Sequence, residues 1–181
     1  MSKYIFFLFF FSSIAFFSCV KGAAYTEVKV NDQYALTIPE YLQPCTDLHK
    51  KASLQLQNTD NDIYMMVIDE KKSDLRELGL NYNLKTYYST IIKQPFLKNI
   101  DHLVIDKYPK EIKIAGNTAV MSTIKGVVND HFVYYKLAIV ETPGCFYQIV
   151  VWTRGDKKEK SENELQKIIE SFREESVKKV S

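Results

Sequence analysis

The 181-residue sequence lacks an excess of either charge, because its 24 Lys and Arg residues are nearly balanced by 22 Asp and Glu residues. The resulting formal net charge of +2 gives no support for nucleic-acid binding, which needs a concentrated basic face. A composition of 46% hydrophobic and 25% charged residues excludes a disordered chain, a collagen-like fibre and a multi-span membrane protein. The length suits one domain with a short extension.

Motifs for catalysis and metal binding are also missing from the sequence. Its six glycines are scattered and form neither a phosphate-binding loop nor a Gly-x-Ser-x-Gly turn. His49, His102 and His131 have no second His or Cys at the spacing of a zinc site. The acidic residues between 60 and 70 lack the full pattern of a calcium loop. We therefore predict a protein that is not an enzyme, with no catalytic residue, no metal and no cofactor.

Phenylalanine, by contrast, is concentrated at the amino end, where seven of the 11 lie within the first 17 residues. One positive charge, Lys3, precedes an apolar run from Tyr4 to Phe17, which is the layout of a secretory signal peptide. A membrane-spanning helix needs roughly 20 apolar residues. This run is shorter and ends at Cys19. The pattern therefore predicts an export signal rather than a permanent span.

The end of this signal, Phe16-Phe17-Ser18-Cys19, resembles a bacterial lipobox, although Phe16 stands where Leu is commonest. The resemblance implies that the Cys19 thiol receives a diacylglyceryl group and that lipoprotein signal peptidase cuts before it. We therefore expect a signal peptide at 1–18 and a short tether at 19–24. The protein is then expected to be anchored to a membrane of the bacterial cell envelope through Cys19. Its domain is expected to face the periplasm. The alternative is an ordinary secreted protein that is cut further along the chain.

The rest of the chain predicts an antiparallel sheet. Alternating apolar and polar residues and turn signals predict strands at 25–30, 34–38, 52–57, 63–69, 109–114, 118–128, 131–141 and 145–152. The strand at 63–69 begins with an apolar run, which is typical of a central strand covered on both faces. In the strand at 131–141, Lys136 lies on the face opposite Leu137, so we expect that face to be at least partly wet.

Two helices accompany these strands. The first has an apolar stripe that includes Leu84 and Ile91, and Asn83 can cap its amino end. Pro95 is expected to end it. The second begins, by the pattern, with a capping box of Ser161 and Glu164. Its stripe should pack against the sheet through Leu165, Ile168, Ile169 and Phe172. The order of elements predicts an α+β fold in which helices pack on an antiparallel sheet.

Three segments carry a family resemblance: Tyr34-Ala35-Leu36-Thr37-Ile38-Pro39, Gly116-Asn117 and the closing Ile168-Ile169-Glu170-Ser171-Phe172-Arg173. In their order and places they resemble the PsbP/Mog-type α/β/α sandwich, in particular its bacterial lipoprotein branch near the DcrB group. The resemblance covers one domain at 25–175 and leaves a tail at 176–181. It implies an accessory or partner-binding protein, because members of this fold mostly act in that way.

Tyrosine and cysteine supply the remaining candidate residues. Tyrosine is enriched at binding surfaces, so one interpretation is a binding surface made of Tyr87, Tyr88, Tyr134, Tyr135 and Tyr147. The alternative is that these rings fill half-buried strand and helix positions of the core. Cys45 and Cys145 can form a disulfide after export, because they are the two thiols that remain once Cys19 is lipidated. The alternative is two buried free cysteines.

Two functions remain open at this point. The first is a non-enzymatic, lipid-anchored envelope protein that binds or supports an envelope protein partner. The second is a small-ligand carrier or an enzyme whose pocket is assembled from scattered polar residues. A deep, closed pocket with coupled Asp, Glu or His favours the second function, whereas a broad, exposed Tyr-rich surface favours the first.

Overall fold

A computed structural model describes residues 23–92 and 100–175. Its strands are β1 (Tyr25–Val30), β2 (Tyr34–Pro39), β3 (Gln43–Pro44), β4 (Leu54–Asn58), β5 (Ile63–Lys71), β6 (Asp101–Ile114), β7 (Asn117–Val128), β8 (His131–Glu141), β9 (Cys145–Arg154) and β10 (Arg173–Glu174). Its helices are α1 (Lys72–Glu77), α2 (Leu84–Ile91) and α3 (Lys158–Glu170), and a 3-10 turn at Gly155–Lys157 precedes α3.

The strands form two antiparallel sheets. The large sheet has the order β3-β4-β5-β9-β8-β7-β6, and the small sheet has the order β1-β2-β10. Tight turns connect the hairpins through residues with positive φ, such as Asn31 and Asp32 before β2 and Asn129 and Asp130 before β8. Asn and Asp tolerate this backbone conformation better than most residues. The predicted α+β fold is confirmed.

The large sheet is covered on both faces, as the apolar run of β5 predicts. Met65 and Val67 pack in one hydrophobic cluster, whereas Met66 and Ile68 pack in the other. Helix α3 and the small sheet cover the first face, which we call the α3 face. Helix α2 covers the second face, the α2 face. Phe172 is fully buried in the cluster of the α3 face together with Leu165, Ile168 and Ile169, so its predicted docking is confirmed.

Lys136 is buried rather than wet. Its side chain lies under α3, where the residue is 6% exposed. The Nζ atom donates a hydrogen bond to Gln166 Oε1 at 2.7 Å and lies 3.6 Å from a Glu162 carboxylate oxygen. The expectation of a wet face at Lys136 is wrong, because α3 covers this part of the sheet and supplies polar partners for the ammonium group.

Several element ends differ from the sequence pattern. Helix α3 begins at Lys158, so Ser161 lies inside it, is buried, and does not form the predicted capping box with Glu164. The 3-10 turn starts the helix earlier than the capping pattern indicates. Strand β6 begins at Asp101 rather than at 109, with irregular register against β7. The Asn83 cap of α2 is confirmed, whereas Pro95 lies outside the described residues.

Candidate functional site

The large sheet has two ends of different character. At one end, which we call the tether end, the pairing register aligns Ile63 with Thr153, Thr153 with Tyr134 and Tyr134 with Lys125. The described chain also enters at this end, because Ala23 lies beside the β4–β5 turn at Asp60. The far end carries the other set of turns, where β5 runs into α1 and β8 turns into β9.

An apolar hollow lies on the α3 face at the tether end. Its volume is about 430 Å³, and we call it the Phe132 hollow. It is lined by Lys125, Phe132, Val133, Tyr134, Gly155, Asp156 and Lys158. Phe132 is 70% exposed, although strand alternation puts it on the same face as the buried Tyr134. The base of its side chain rests on the Gly155 backbone, where an added Cβ would approach Phe132 Cβ to 3.0 Å.

A second, polar hollow lies on the other side of the first turn of α3. This Tyr41 hollow has a volume of about 340 Å³, and its lining includes Ala23, Tyr41, Lys157 and Glu164. The Glu164 carboxylate accepts hydrogen bonds from the hydroxyls of Tyr41 and Tyr25. Burial first, and then the bond to Glu164, raise the pKa of Tyr41. The Glu164 carboxylate is therefore already paired within the protein.

A third hollow lies at the far end of the sheet. This Leu78 hollow has a volume of about 360 Å³ and is lined by Lys51, Ile68, Asp69, Glu70, Lys71, Asp74, Leu75 and Leu78. Leu78 is 74% exposed, and Leu80 in the same loop is partly exposed. Gly79 between them has a φ of 76°, a conformation that suits glycine. The hollow thus combines an exposed apolar loop with acidic and basic side chains.

A buried polar network fixes the wall of the Leu78 hollow. The Tyr87 hydroxyl donates to Glu70 Oε2 at 2.5 Å and accepts from Gln148 Nε2 at 2.8 Å. The Tyr87 ring stacks on Phe146 with the ring centres 4.2 Å apart. Burial first, and then the contact with Glu70, raise the pKa of Tyr87. Helix α2 is thereby tied to β5 and β9, which hold one side of the hollow in place.

This arrangement of layers is found in solved structures of other proteins. The chain resembles cyanobacterial PsbP (CyanoP) from Synechocystis sp. PCC 6803 with a TM-score of 0.63 and 13% identity, over 86% of this chain and 95% of that one. The chain has a PsbP/Mog-like fold. The Ran-binding protein Mog1p of Saccharomyces cerevisiae is similar at a TM-score of 0.53 and 10% identity, over 84% of this chain and 96% of that one.

LpqN of Mycobacterium tuberculosis, described as involved in cell envelope biogenesis, is similar to this PsbP/Mog-like chain. Its TM-score is 0.52 at 16% identity, over 87% of this chain and 88% of that one. No protein-family model and no curated protein sequence matches the chain. At these identities the likeness establishes the fold alone.

The five predicted tyrosines do not form an exposed surface in the PsbP/Mog-like domain. Tyr134 and Tyr147 are buried on the α3 face, and Tyr87 and Tyr88 are buried against α2. Tyr135 is partly buried beside Trp152. The interpretation of these residues as a binding surface is wrong, and the core alternative is correct. The physical reason differs between the two pairs. Tyr134 and Tyr147 lie on the part of the sheet that α3 and the small sheet cover. Tyr87 and Tyr88 belong to the apolar stripe by which α2 packs on the opposite face.

Cys45 and Cys145 are free and half-buried, so the structure contradicts the candidate disulfide. The Cys45 amide donates to Gln55 O, which extends β3 alongside β4, whereas Cys145 begins β9. Strands β4 and β5 lie between them in the sheet. Three strand spacings amount to about 14 Å, well beyond the Cα separation of about 7 Å that a disulfide tolerates.

The sequence analysis did not predict two exposed residues that line the hollows, Phe132 and Leu78. Phe132 follows the alternation of a buried strand position, and only the point at which α3 begins leaves it uncovered. Leu78 stands before a glycine in a short loop, a context in which one apolar residue gives a weak signal. A sequence pattern cannot predict that these two residues are exposed, because their exposure depends on how far the neighbouring elements extend over them.

Within the described residues, no group of three or more His, Cys, Asp or Glu side chains is placed to hold a metal ion. No helix in the same part of the chain is both long and apolar enough to cross a bilayer. Cys19, the signal at 1–18 and the tail at 176–181 lie outside the described residues.

Proposed function

We propose that this protein is a lipid-anchored, non-enzymatic component of the bacterial cell envelope that binds another envelope protein at its Leu78 hollow. One observation carries the proposal: the chain enters the domain at the tether end, whereas Leu78, the most exposed large apolar side chain described, lies at the far end. The likeness to LpqN, a protein of cell envelope biogenesis, supports the location. The likeness to Ran-binding Mog1p supports a fold able to hold a protein partner.

The anchor follows from the lipobox-like end of the signal. A diacylated Cys19 attaches more stably than a single acyl chain would. Strand β5 has nine residues and runs from the tether end to the far end. At about 3.3 Å per residue this strand spans roughly 26 Å. A domain held at Ala23 therefore presents the Leu78 hollow away from the membrane, toward other envelope proteins.

The chemistry of the Leu78 hollow suits a protein partner. Interfaces combine an apolar centre with a polar rim. Leu78 and Leu75 supply apolar surface, and the acids and lysines around them supply side chains of both signs. Lys72 lies on α1, the helix that carries Leu75. Its ammonium group is paired with Glu141 at 2.7 Å and lies over the Phe146 ring, so it holds α1 in place.

The lipid anchor is tested with Cys19→Ala. We expect loss of metabolic acyl labelling and failure of signal cleavage before residue 19, because only the Cys19 sulfur can form the thioether. Cys45→Ala is the matched control and should keep both labelling and processing. Normal processing and membrane retention of Cys19→Ala would contradict the lipobox interpretation.

The partner site is tested with a photoreactive amino acid placed at position 78 in intact cells. We expect one defined crosslinked product with a single envelope protein, and we expect Leu80→Asp to reduce it strongly by making the loop polar. The same probe at the exposed position of Glu111 on β6 is the control. Equal products from both positions, or a product insensitive to Leu80→Asp, would reject the Leu78 hollow as the docking site.

A further inference from the structure

The α3 face is left open at the tether end. Helix α3 begins at Lys158, and beyond it Phe132 is 70% exposed. Val104 is 56% exposed and pairs with Lys125, which pairs with Tyr134, so Val104 lies on the same face as Phe132. Val127 pairs with Phe132 and is only partly buried. These apolar side chains from three neighbouring strands form one surface, which we call the Phe132 surface.

The covalent chain limits how far this surface can lie from an anchored Cys19. Cys19 precedes Ala23 by four residues, a reach of at most about 14 Å. Ala23 borders the Tyr41 hollow together with Lys157. The next residue, Lys158, borders the Phe132 hollow. The chain therefore enters the domain on one side of the turn at Lys157 and Lys158, and the Phe132 surface lies on the other side of that turn.

We propose that the Phe132 surface contacts the lipid bilayer, with Phe132 and Val104 inserted into its interfacial region. This inference rests on the proposed lipid anchor at Cys19. The anchor supplies the attachment, and the Phe132 surface sets the orientation, because buried apolar area strengthens interfacial contact.

The charges around this surface indicate which lipids it accepts. Lysines 125, 157 and 158 are accompanied by acidic residues at 101, 130 and 156. Lys157 is also paired with Asp62 at 2.6 Å, and Lys158 lies 3.9 Å from Glu162. Charges of both signs do not favour an anionic bilayer. The contact is therefore apolar, and neutral phosphatidylcholine should support it as well as anionic lipid does.

Tryptophan fluorescence can measure this contact. The chain has one tryptophan, Trp152, which packs between Tyr64 and Tyr135 and gives a constant background. Phe132→Trp places a second indole on the surface, and Leu78→Trp places one at the far end as the matched control. In phosphatidylcholine vesicles with brominated acyl chains, we expect loss of the added emission for Phe132→Trp. Emission from wild type and from Leu78→Trp should be unchanged.

Attaching the protein to vesicles in two different ways tests the proposed orientation independently of the lipid anchor. The first form is the acylated protein, purified from membranes and reconstituted. The second is a Cys19→Ala chain that starts at residue 19, carries an amino-terminal histidine tag and binds nickel-chelating lipids in the same vesicles. Acyl labelling reports on the anchor, whereas quenching in either form reports on the orientation.

Three results would overturn the proposal. Equal quenching of Phe132→Trp and Leu78→Trp would mean that the domain has no preferred face toward the bilayer. Quenching that appears only with anionic lipid would mean that the contact is electrostatic. Emission at position 132 that is unaffected by brominated lipid but changes with protein density on the vesicle would identify a second copy of the chain as the occupant.

Discussion

Tyrosine hydroxyls paired with glutamates recur at the boundary between the sheet and the helices. Tyr87 donates to Glu70, and Tyr134 donates to Glu162 at 2.7 Å. Each ring is buried while its oxygen reaches an acid at the edge of the core. A buried hydroxyl without a partner would destabilise the fold, so these acids stabilise the rings in place.

Alkaline pH should therefore unfold this protein through its tyrosines. Burial raises the pKa of Tyr135 to about 12 and also raises the pKa values of Tyr34, Tyr87 and Tyr147. Because the pKa values are raised in the folded state, their contribution to stability is complete below pH of about 10, the unfolded value. It is lost as the pH rises toward the folded values.

The measurement is the free energy of unfolding by urea across this pH range, with absorbance at 295 nm to follow tyrosine ionisation. We expect the free energy to fall by about 1.4 kcal/mol per pH unit for each tyrosine that ionises only in the unfolded chain. The absorbance change of the buried tyrosines should coincide with unfolding. Ionisation of all tyrosines near pH 10 with the fold intact would contradict the burial described.

The buried lysine allows a second prediction at this scale. Glu162→Ala removes an acid that lies 3.6 Å from the Lys136 ammonium and accepts from Tyr134. We expect a loss of about 1–3 kcal/mol, less than the ~3–5 kcal/mol for a fully buried pair, because Glu162 is partly exposed. Lys136→Met should cost less, since it removes the charge together with its need for a partner.

Urea unfolding of both variants measures this difference, with Asn163→Ala on the exposed side of α3 as the control. If Lys136→Met is more destabilising than Glu162→Ala, the ammonium group contributes net stability. That order would be the reverse of the one expected here.

At the scale of elements, α3 and its continuation act as one unit. The helix packs on β8, β9 and β2, and the chain then turns at Ser171 into β10, which pairs with β2. The Ser171 hydroxyl donates to Ile168 O, and its oxygen accepts from the Thr37 amide. This turn positions Phe172 between Tyr34 and Tyr147, with ring centres 5.8 and 4.9 Å away.

Phe172→Ala should therefore loosen the helix and the small sheet together. We expect a loss of about 3–5 kcal/mol in the free energy of unfolding, from lost burial and the cavity that remains. Phe132→Ala removes the same side chain from an exposed position and should change stability by about 0.5 kcal/mol or less. Equal stability losses for the two variants in urea unfolding would mean that Phe172 is not docked as described.

On the scale of the whole molecule, the sheet separates two surfaces. The tether end has the entry of the chain and the Phe132 surface, and the far end has the Leu78 hollow. In our proposals the first surface faces lipid and the second faces a protein. A rigid sheet between them keeps the two contacts at a fixed distance, which suits an accessory protein that positions a partner relative to the membrane.

The separation of strands across the whole sheet also decides the state of the cysteines. We expect mass spectrometry of unreduced protein, alkylated after unfolding, to find both Cys45 and Cys145 modified. In the folded protein alkylation should be slow, because burial raises the pKa of both thiols and lowers the thiolate fraction. Cys19→Ala provides a control that leaves these two thiols alone. A linked Cys45–Cys145 peptide would contradict the strand order of the sheet.

Local pattern was sufficient for most of the elements. Alternation predicted β1, β2, β7 and β8 nearly to the residue, because turn residues with a preference for positive φ lie at their ends. The Asn83 cap was predictable for the same reason, since capping depends on residues close in sequence. The start of α3 was not, because a 3-10 turn after β9 overrides the Ser161 pattern.

The sequence by itself determined the α+β class, the central position of β5 and the docking of Phe172, since these follow from the period of the apolar residues. Tertiary structure decided which residues are exposed. Tyr134 and Phe132 occupy equivalent positions of one strand, yet α3 covers the first and does not extend over the second. Lys136 is buried for the same reason, and Cys45 is kept from Cys145 by strands placed between them. Periodicity specifies a face of the sheet, but only packing between distant elements decides whether that face meets a helix or solvent.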